Sequence, residues 1–139
     1  MTPCLFCSSR SVRPRKGSGR MQPFRVFPAL PVPDECAIPT CGQCGARFLD
    51  DRTIATLAPH LERAYRGELQ RRAIQSLRRI PRRVITQRRL ELLLGLSLGY
   101  LSRIVCRSSV PSAPLVLLLA IVADGLPNSL QTVEEIWRE

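Results

Sequence analysis

Four cysteines in two pairs, Cys4-Leu5-Phe6-Cys7 and Cys41-Gly42-Gln43-Cys44, have the residue types and spacing most specific for chemistry in this chain. Two residues between paired cysteines let both thiolates reach one tetrahedral ion, and two such pairs complete a closed set with no open position for a substrate. The pattern predicts a structural Zn²⁺ on Cys4, Cys7, Cys41 and Cys44, not a catalytic metal. Cys36 remains an alternative, either replacing Cys41 or Cys44 as a ligand or standing as a free thiol. Each knuckle must fold back on itself so that backbone N–H groups reach the sulfurs, a turn that favours glycine at positive φ. Gly42 and Gly45 are placed for this in the second knuckle, whereas the first has only the small residues Ser8 and Ser9.

The second chemical signal is cationic. The chain of 139 residues has a formal net charge of +10, and only one of its basic residues, Lys16, is a lysine. Between Glu62 and Leu90 lie ten arginines, among them Arg82, Arg83, Arg88 and Arg89, against the two carboxylates of Glu62 and Glu68. Such an excess attracts a polyanion from a distance and contacts its phosphates. In a reducing compartment, cysteines spaced this way are explained by metal more readily than by disulfides. The longest uncharged apolar run, Leu115 to Ala123, falls far short of the roughly 20 residues that span a bilayer. These features lead to the expectation of a cytoplasmic protein without a membrane segment.

The elements that must position these residues differ between the two ends. Seven prolines between Pro3 and Pro39 predict short strands and turns, and the alternation of Phe24, Val26, Leu30 and Val32 predicts one or two strands at a sheet edge. Asp50 and Asp51 are candidate N-caps, but Pro59 and Gly67 break the pattern that follows, so residues 51–67 read as a linker. The cleaner helix starts near Glu68, carries Leu69, Ala73, Ile74, Leu77 and Ile80 on one stripe, and stops at Pro81. The division expected is therefore a metal module over 1–50, a linker over 51–67 and a helical domain over 68–139.

Within the helical domain, Thr86 can cap a helix carrying Leu90, Leu93 and Leu94. Gly95 supplies a left-handed turn, and Ser97 can cap a second helix with Leu101 and Ile104 inward. Two short helices joined by a glycine turn are the helix-turn-helix geometry, in which the second helix offers its first residues to the major groove of double-stranded DNA. Exposed on that helix, Arg103 is the candidate for reading a base edge. Gln87, Ser97 and Tyr100 are candidate phosphate or groove-edge contacts, and Arg82, Arg83 and Arg88 add sequence-independent attraction.

The segments Ile85-Thr86-Gln87, Leu94-Gly95-Leu96-Ser97 and Leu101-Ser102-Arg103 resemble the core of the Xre/Cro-type helix-turn-helix. With the cysteine pairs ahead of them, the chain resembles the MqsA-type antitoxins and their YgiT-type zinc-finger relatives. That resemblance implies a small α+β protein in which a zinc-ribbon-like module precedes an all-α Xre-type domain. It also implies an autorepressing antitoxin that binds a small toxin protein, by resemblance a ribonuclease. The sequence departs from the family at Glu91, where a small residue is usual, at Gly99, where the antitoxin has asparagine, at Ile104 and Val105, and at Arg107, which stands in place of a loop glycine.

The apolar segment from Pro114 to Val122 exceeds what a small helical domain can cover and predicts a homodimer, which the resemblance also implies. A stand-alone transcriptional regulator of the same class is the alternative. A zinc-ribbon RNA-binding protein is a further one, opposed by the scarcity of aromatic side chains for stacking bases. An enzyme is not expected, since His60 is the sole histidine and no nucleophile–base grouping accompanies it.

Overall fold

A computed structural model describes residues 2–138. Along the chain come β1 (Val12–Arg15), β2 (Met21–Phe24), β3 (Phe27–Pro31), β4 (Ile38–Cys41), α1 (Asp51–Arg79), α2 (Gln87–Leu93), α3 (Tyr100–Val105), α4 (Ala113–Asp124) and α5 (Asn128–Ile136). It is a small α+β fold of two compact units, Met1–Tyr65 and Arg66–Glu139, and the boundary between them falls inside α1.

In the first unit the strands form two antiparallel pairs, β1 with β4 and β2 with β3. The second pair is a hairpin of the segment in which alternation predicts strands, and Arg25 turns its corner at φ 49°. The β1–β4 pair has no such sequence pattern. Its register sets Pro14 opposite Pro39, so both missing N–H donors fall on one rung and the neighbouring rungs keep theirs. Phe27, Leu30, Val32, Cys36 and Ile38 are buried with Leu57, Leu61 and Tyr65 of α1. The Tyr65 ring meets Phe24 and Phe27 edge-on, with centroids 5.7 and 5.5 Å away. Arg25 lies over the rings of Phe24 and Tyr65 and pairs with Glu62 at 2.8 Å.

Residues 51–67, expected as a linker, are helical, and the helix expected near Glu68 begins at Asp51. Asp50 starts it, its carboxylate accepting from the Thr53 amide at 2.7 Å, and hydrogen bonding from the Thr53 side chain, then from that amide, draws the Asp50 pKa below its ordinary value. Pro59 sits inside the helix without ending it. One lost backbone bond among 29 residues is outweighed where burial recurs at every fourth position, through Thr53, Leu57, Leu61, Tyr65, Leu69 and Ala73.

The second unit gathers Leu69, Ala73 and Ile74 of α1 with Leu90, Leu93, Leu101, Ile104, Leu115, Leu119 and Val122 in its core. Gln70, also buried, donates its side-chain amide to the carbonyls of Ile104 at 2.9 Å and Ser109 at 3.1 Å, closing the C-terminal end of α3. Ser112 caps α4, accepting from the Leu115 amide. The Trp137 indole donates to the Leu93 carbonyl at 2.7 Å and so closes the end of α2.

Candidate metal centre and basic helical face

The two cysteine knuckles are copies of one backbone design. In each, the amide of the first cysteine bonds to the carbonyl five residues on, Cys4 to Ser9 and Cys41 to Ala46, both at 2.8 Å. The amide four residues on bonds back to the cysteine carbonyl, Ser8 to Cys4 at 2.9 Å and Gly45 to Cys41 at 3.0 Å. That residue takes positive φ in both, 58° at Ser8 and 74° at Gly45. Of the two glycines expected to turn the second knuckle, only Gly45 has the left-handed backbone. A Cβ at Gly42 would lie 2.9 Å from a terminal nitrogen of Arg15, a contact that a shift of that flexible side chain would relieve.

These turns bring all four sulfurs of Cys4, Cys7, Cys41 and Cys44 within 4.8 Å of one another. The Sγ atoms of Cys4 and Cys44 are 3.5 Å apart and those of Cys7 and Cys41 3.6 Å apart. A tetrahedron with metal–sulfur bonds of about 2.3 Å has edges of about 3.8 Å, so the four donors fit one ion. Cys36 is buried outside this group and its carbonyl accepts from the Arg20 guanidinium.

Around the sulfurs, hydrogen bonds and burial act in opposite directions. Cys41 is pulled down to about 6 by the amides of Cys44 and Gln43 and by the hydroxyl of Ser11, whose Oγ lies 3.6 Å from the sulfur. Cys4 is also lowered: burial raises it, but the amides of Phe6 and Cys7 outweigh that. The Ser9 amide favours the Cys7 thiolate, yet burial and the neighbouring thiols push it up to about 12. Cys44 has the Ala46 amide in its favour and is still raised by burial and by the thiol of Cys4. Four thiolates at this separation need a cation between them to coexist, so the donor set can hold a metal ion.

In the second unit, Thr86 caps α2 as its position suggests, accepting from the Arg89 amide at 3.2 Å. Gly95 takes φ 68° and Gly99 φ 79° between α2 and α3. Ser97 does not cap α3. Its hydroxyl instead accepts from the Arg103 guanidinium at 3.1 Å, and the exposed Arg103 also lies over the Tyr100 ring, 5.6 Å from its centroid. The cap comes from Glu91, buried at 3% exposure, whose Oε2 accepts from the Tyr100 amide at 3.1 Å. Gln87 donates to the Ser102 hydroxyl.

The structure thus places Ser97, Tyr100 and Arg103 in one contact set and joins Gln87 to α3 through Ser102. Arg82, Arg83 and Arg88 are exposed. Among the described residues none of the three is in an ion pair. Arg82 lines a cleft of about 320 Å³ with Gln87 and Val105, and Arg88 lines a neighbouring hollow with Leu92 and Leu98. The sequence alone assigns no role to Ser102 or Gln70, and it marks Glu91 only as a departure from the family pattern. The only signal for Glu91 was its oddity, a carboxylate where close packing favours a small residue.

Compared with protein-family models, curated proteins and solved structures, the chain matches none. Among the described residues no helix is long and apolar enough to cross a membrane.

Proposed function

We propose that this chain is a zinc-dependent regulator that binds double-stranded DNA through α2 and α3, in the manner of an antitoxin that represses its own operon. The observation that carries the reading is the set of Ser97 ahead of α3, Tyr100 at its first position and Arg103 in its last turn. The Arg103 guanidinium is held by a hydroxyl and an aromatic ring and remains exposed. A restrained guanidinium loses less freedom when it bonds a guanine edge through two hydrogen bonds, worth about 1–3 kcal/mol of discrimination. Gln87, joined to Ser102, sits where a first-helix residue meets the groove edge. Arg82, Arg83 and Arg88 supply unpaired positive charge for the phosphates.

Zn²⁺ is the metal best suited to four thiolates in a closed tetrahedral set, and its role here is to fold the first unit. Leu117 and Ile121, 62% and 57% exposed on successive turns of α4, support a homodimer. Two copies related by a twofold axis would present two α3 helices to a palindromic site about one DNA turn apart. The toxin partner rests on the family resemblance alone.

The test is purification of the untagged protein with its neighbouring reading frames, measurement of zinc per chain, and titration of its upstream DNA and of a random duplex. Arg103→Ala should lower affinity for the upstream DNA about 10-fold or more while leaving random-duplex affinity nearly unchanged. Equal loss on both duplexes would remove Arg103 as the specificity residue, and absence of any upstream preference in the parent protein would remove the regulator reading.

A further inference from the structure

We propose that the first unit carries a nucleic-acid site of its own, a cationic groove that grips the phosphodiester backbone of a duplex without reading its sequence. The groove is about 490 Å³ and is lined by Arg15, Lys16, Arg20 and Arg47 around Thr40 and Met21, with no carboxylate in its wall. Strand register adds a fifth cation. Arg13 and Arg15 alternate onto one face of β1, Arg13 lies opposite Thr40, and Thr40 is bridged on its other side to Arg47. The rung Arg13, Thr40, Arg47 therefore crosses three chain segments with a guanidinium at each end.

The cations divide by role. Arg20 is structural: its guanidinium donates to the carbonyls of Gly17, Arg15, Pro33 and Cys36, tying the loop after β1 to the segment before β4. Arg47 gives one N–H to the Met21 carbonyl at 3.3 Å, which anchors it and leaves its other donors for a ligand. Arg15 reaches along the sheet to Gly42, the position where any side chain would crowd its terminal nitrogen. Among the described residues no ion pair engages Arg13, Arg15, Lys16 or Arg47. Like charges held together by strand register repel one another, and an anion with repeated charges relieves that repulsion.

The wall chemistry selects among polyanions. An acidic protein partner needs an apolar anchor at the centre of its contact, and Met21, 43% exposed, is the only large apolar side chain here. Single-stranded nucleic acid needs aromatic platforms for its bases, and no aromatic residue lines the groove. A duplex backbone needs neither, only guanidinium and ammonium donors at the phosphates. The inference does not depend on α2 and α3 reading DNA, since the two sets of cations lie on different units.

The experiment is equilibrium binding of the zinc-loaded full chain to a labelled random duplex of about 20 base pairs at several salt concentrations. Each phosphate contact adds about 0.9 to the slope of log affinity against log salt. The double variant Arg15→Gln, Arg47→Gln should lose about 1.8 of that slope at unchanged zinc content. Arg82→Gln with Arg83→Gln, on the other unit, should lose its own increment, so failure of one site is distinguishable from failure of the other. An unaltered slope in the Arg15, Arg47 variant overturns the proposal whatever the second variant does. If that double variant loses zinc, Lys16→Gln replaces it, with an expected loss of about 0.9, and no loss there is equally decisive. Polyglutamate that competes as well as the duplex at equal charge would mean an acidic-protein surface and would overturn the nucleic-acid assignment.

Discussion

At Ser8 a β-carbon occupies the left-handed backbone that Gly45 occupies in the matching knuckle, φ 58° against 74°. That conformation costs a side chain about 1–2 kcal/mol, part of which glycine returns through its freer unfolded chain. Ser8→Gly should therefore raise stability by up to about 1 kcal/mol, read by urea unfolding of the zinc-loaded protein; a decrease would mean that the Ser8 side chain itself holds the knuckle. Glu91 makes the opposite case, where the side chain is essential. Its carboxylate shares the Tyr100 amide with the Ser97 carbonyl, so Glu91→Ala should destabilise by about 1 kcal/mol, and Glu91→Gln, which keeps an acceptor oxygen, should recover most of it. Equal loss in both variants would show that charge, not the hydrogen bond, is what matters at the start of α3. The metal donors were legible in the sequence because their chemistry depends on spacing alone. The α3 cap was not, because Ser97 and Glu91 both offer acceptors and only the packed turn decides between them. Arg107, another residue with a β-carbon, likewise takes a left-handed backbone at φ 61°.

Elements were legible wherever local chemistry and tertiary burial agree. Thr86 caps the helix its position suggests, and the hairpin β2–β3 forms in the segment where alternation predicts strands, although Val26 of that pattern is exposed in its turn. Proline had a part in both misreadings, joined by Gly67 in the second. Pro14 and Pro39 concealed the β1–β4 pair, in which they share a rung, and Pro59 concealed the first half of α1. In each case a residue unfavourable for its element is outweighed by burial that only the folded chain reveals, here Ile38 and Cys41 on β4 and Leu57, Leu61 and Tyr65 on α1. It follows that Pro59 is a net cost to α1. Pro59→Ala restores the donor to the Ala55 carbonyl and removes the ring from the preceding turn, and should raise stability by about 1–3 kcal/mol with a gain in helical circular dichroism. Unchanged stability would show that the helix has already relaxed around the proline. Gln70 was hidden for a related reason: within an amphipathic stripe a glutamine reads as a boundary residue, whereas here it carries two buried bonds to the end of α3.

The whole molecule joins a unit that lacks a large core to one that has it. The first unit has two short strand pairs and part of one helix, and its best long-range tie is the set of four sulfurs linking its start to residues 41–44. The second has a continuous apolar core and satisfied helix ends. Their responses to metal should accordingly differ. Binding needs all four sulfurs as thiolates; Cys41, held at about 6, is ionised at neutral pH, whereas Cys7, pushed up to about 12, gives up its proton only to the metal. Lowering the pH adds protons that compete for every donor, and below about 6 even Cys41 is protonated, so affinity for a metal ion should fall steadily from neutral pH downward. Chelation at neutral pH should release one zinc per chain and unfold the strand pairs, with the helical signal of Arg66–Glu139 retained and its thermal transition little changed. Metal release followed by a chelating dye, alongside far-ultraviolet circular dichroism, checks both halves. Loss of all helical signal in one step on chelation would mean that the second unit does not hold its fold without the metal.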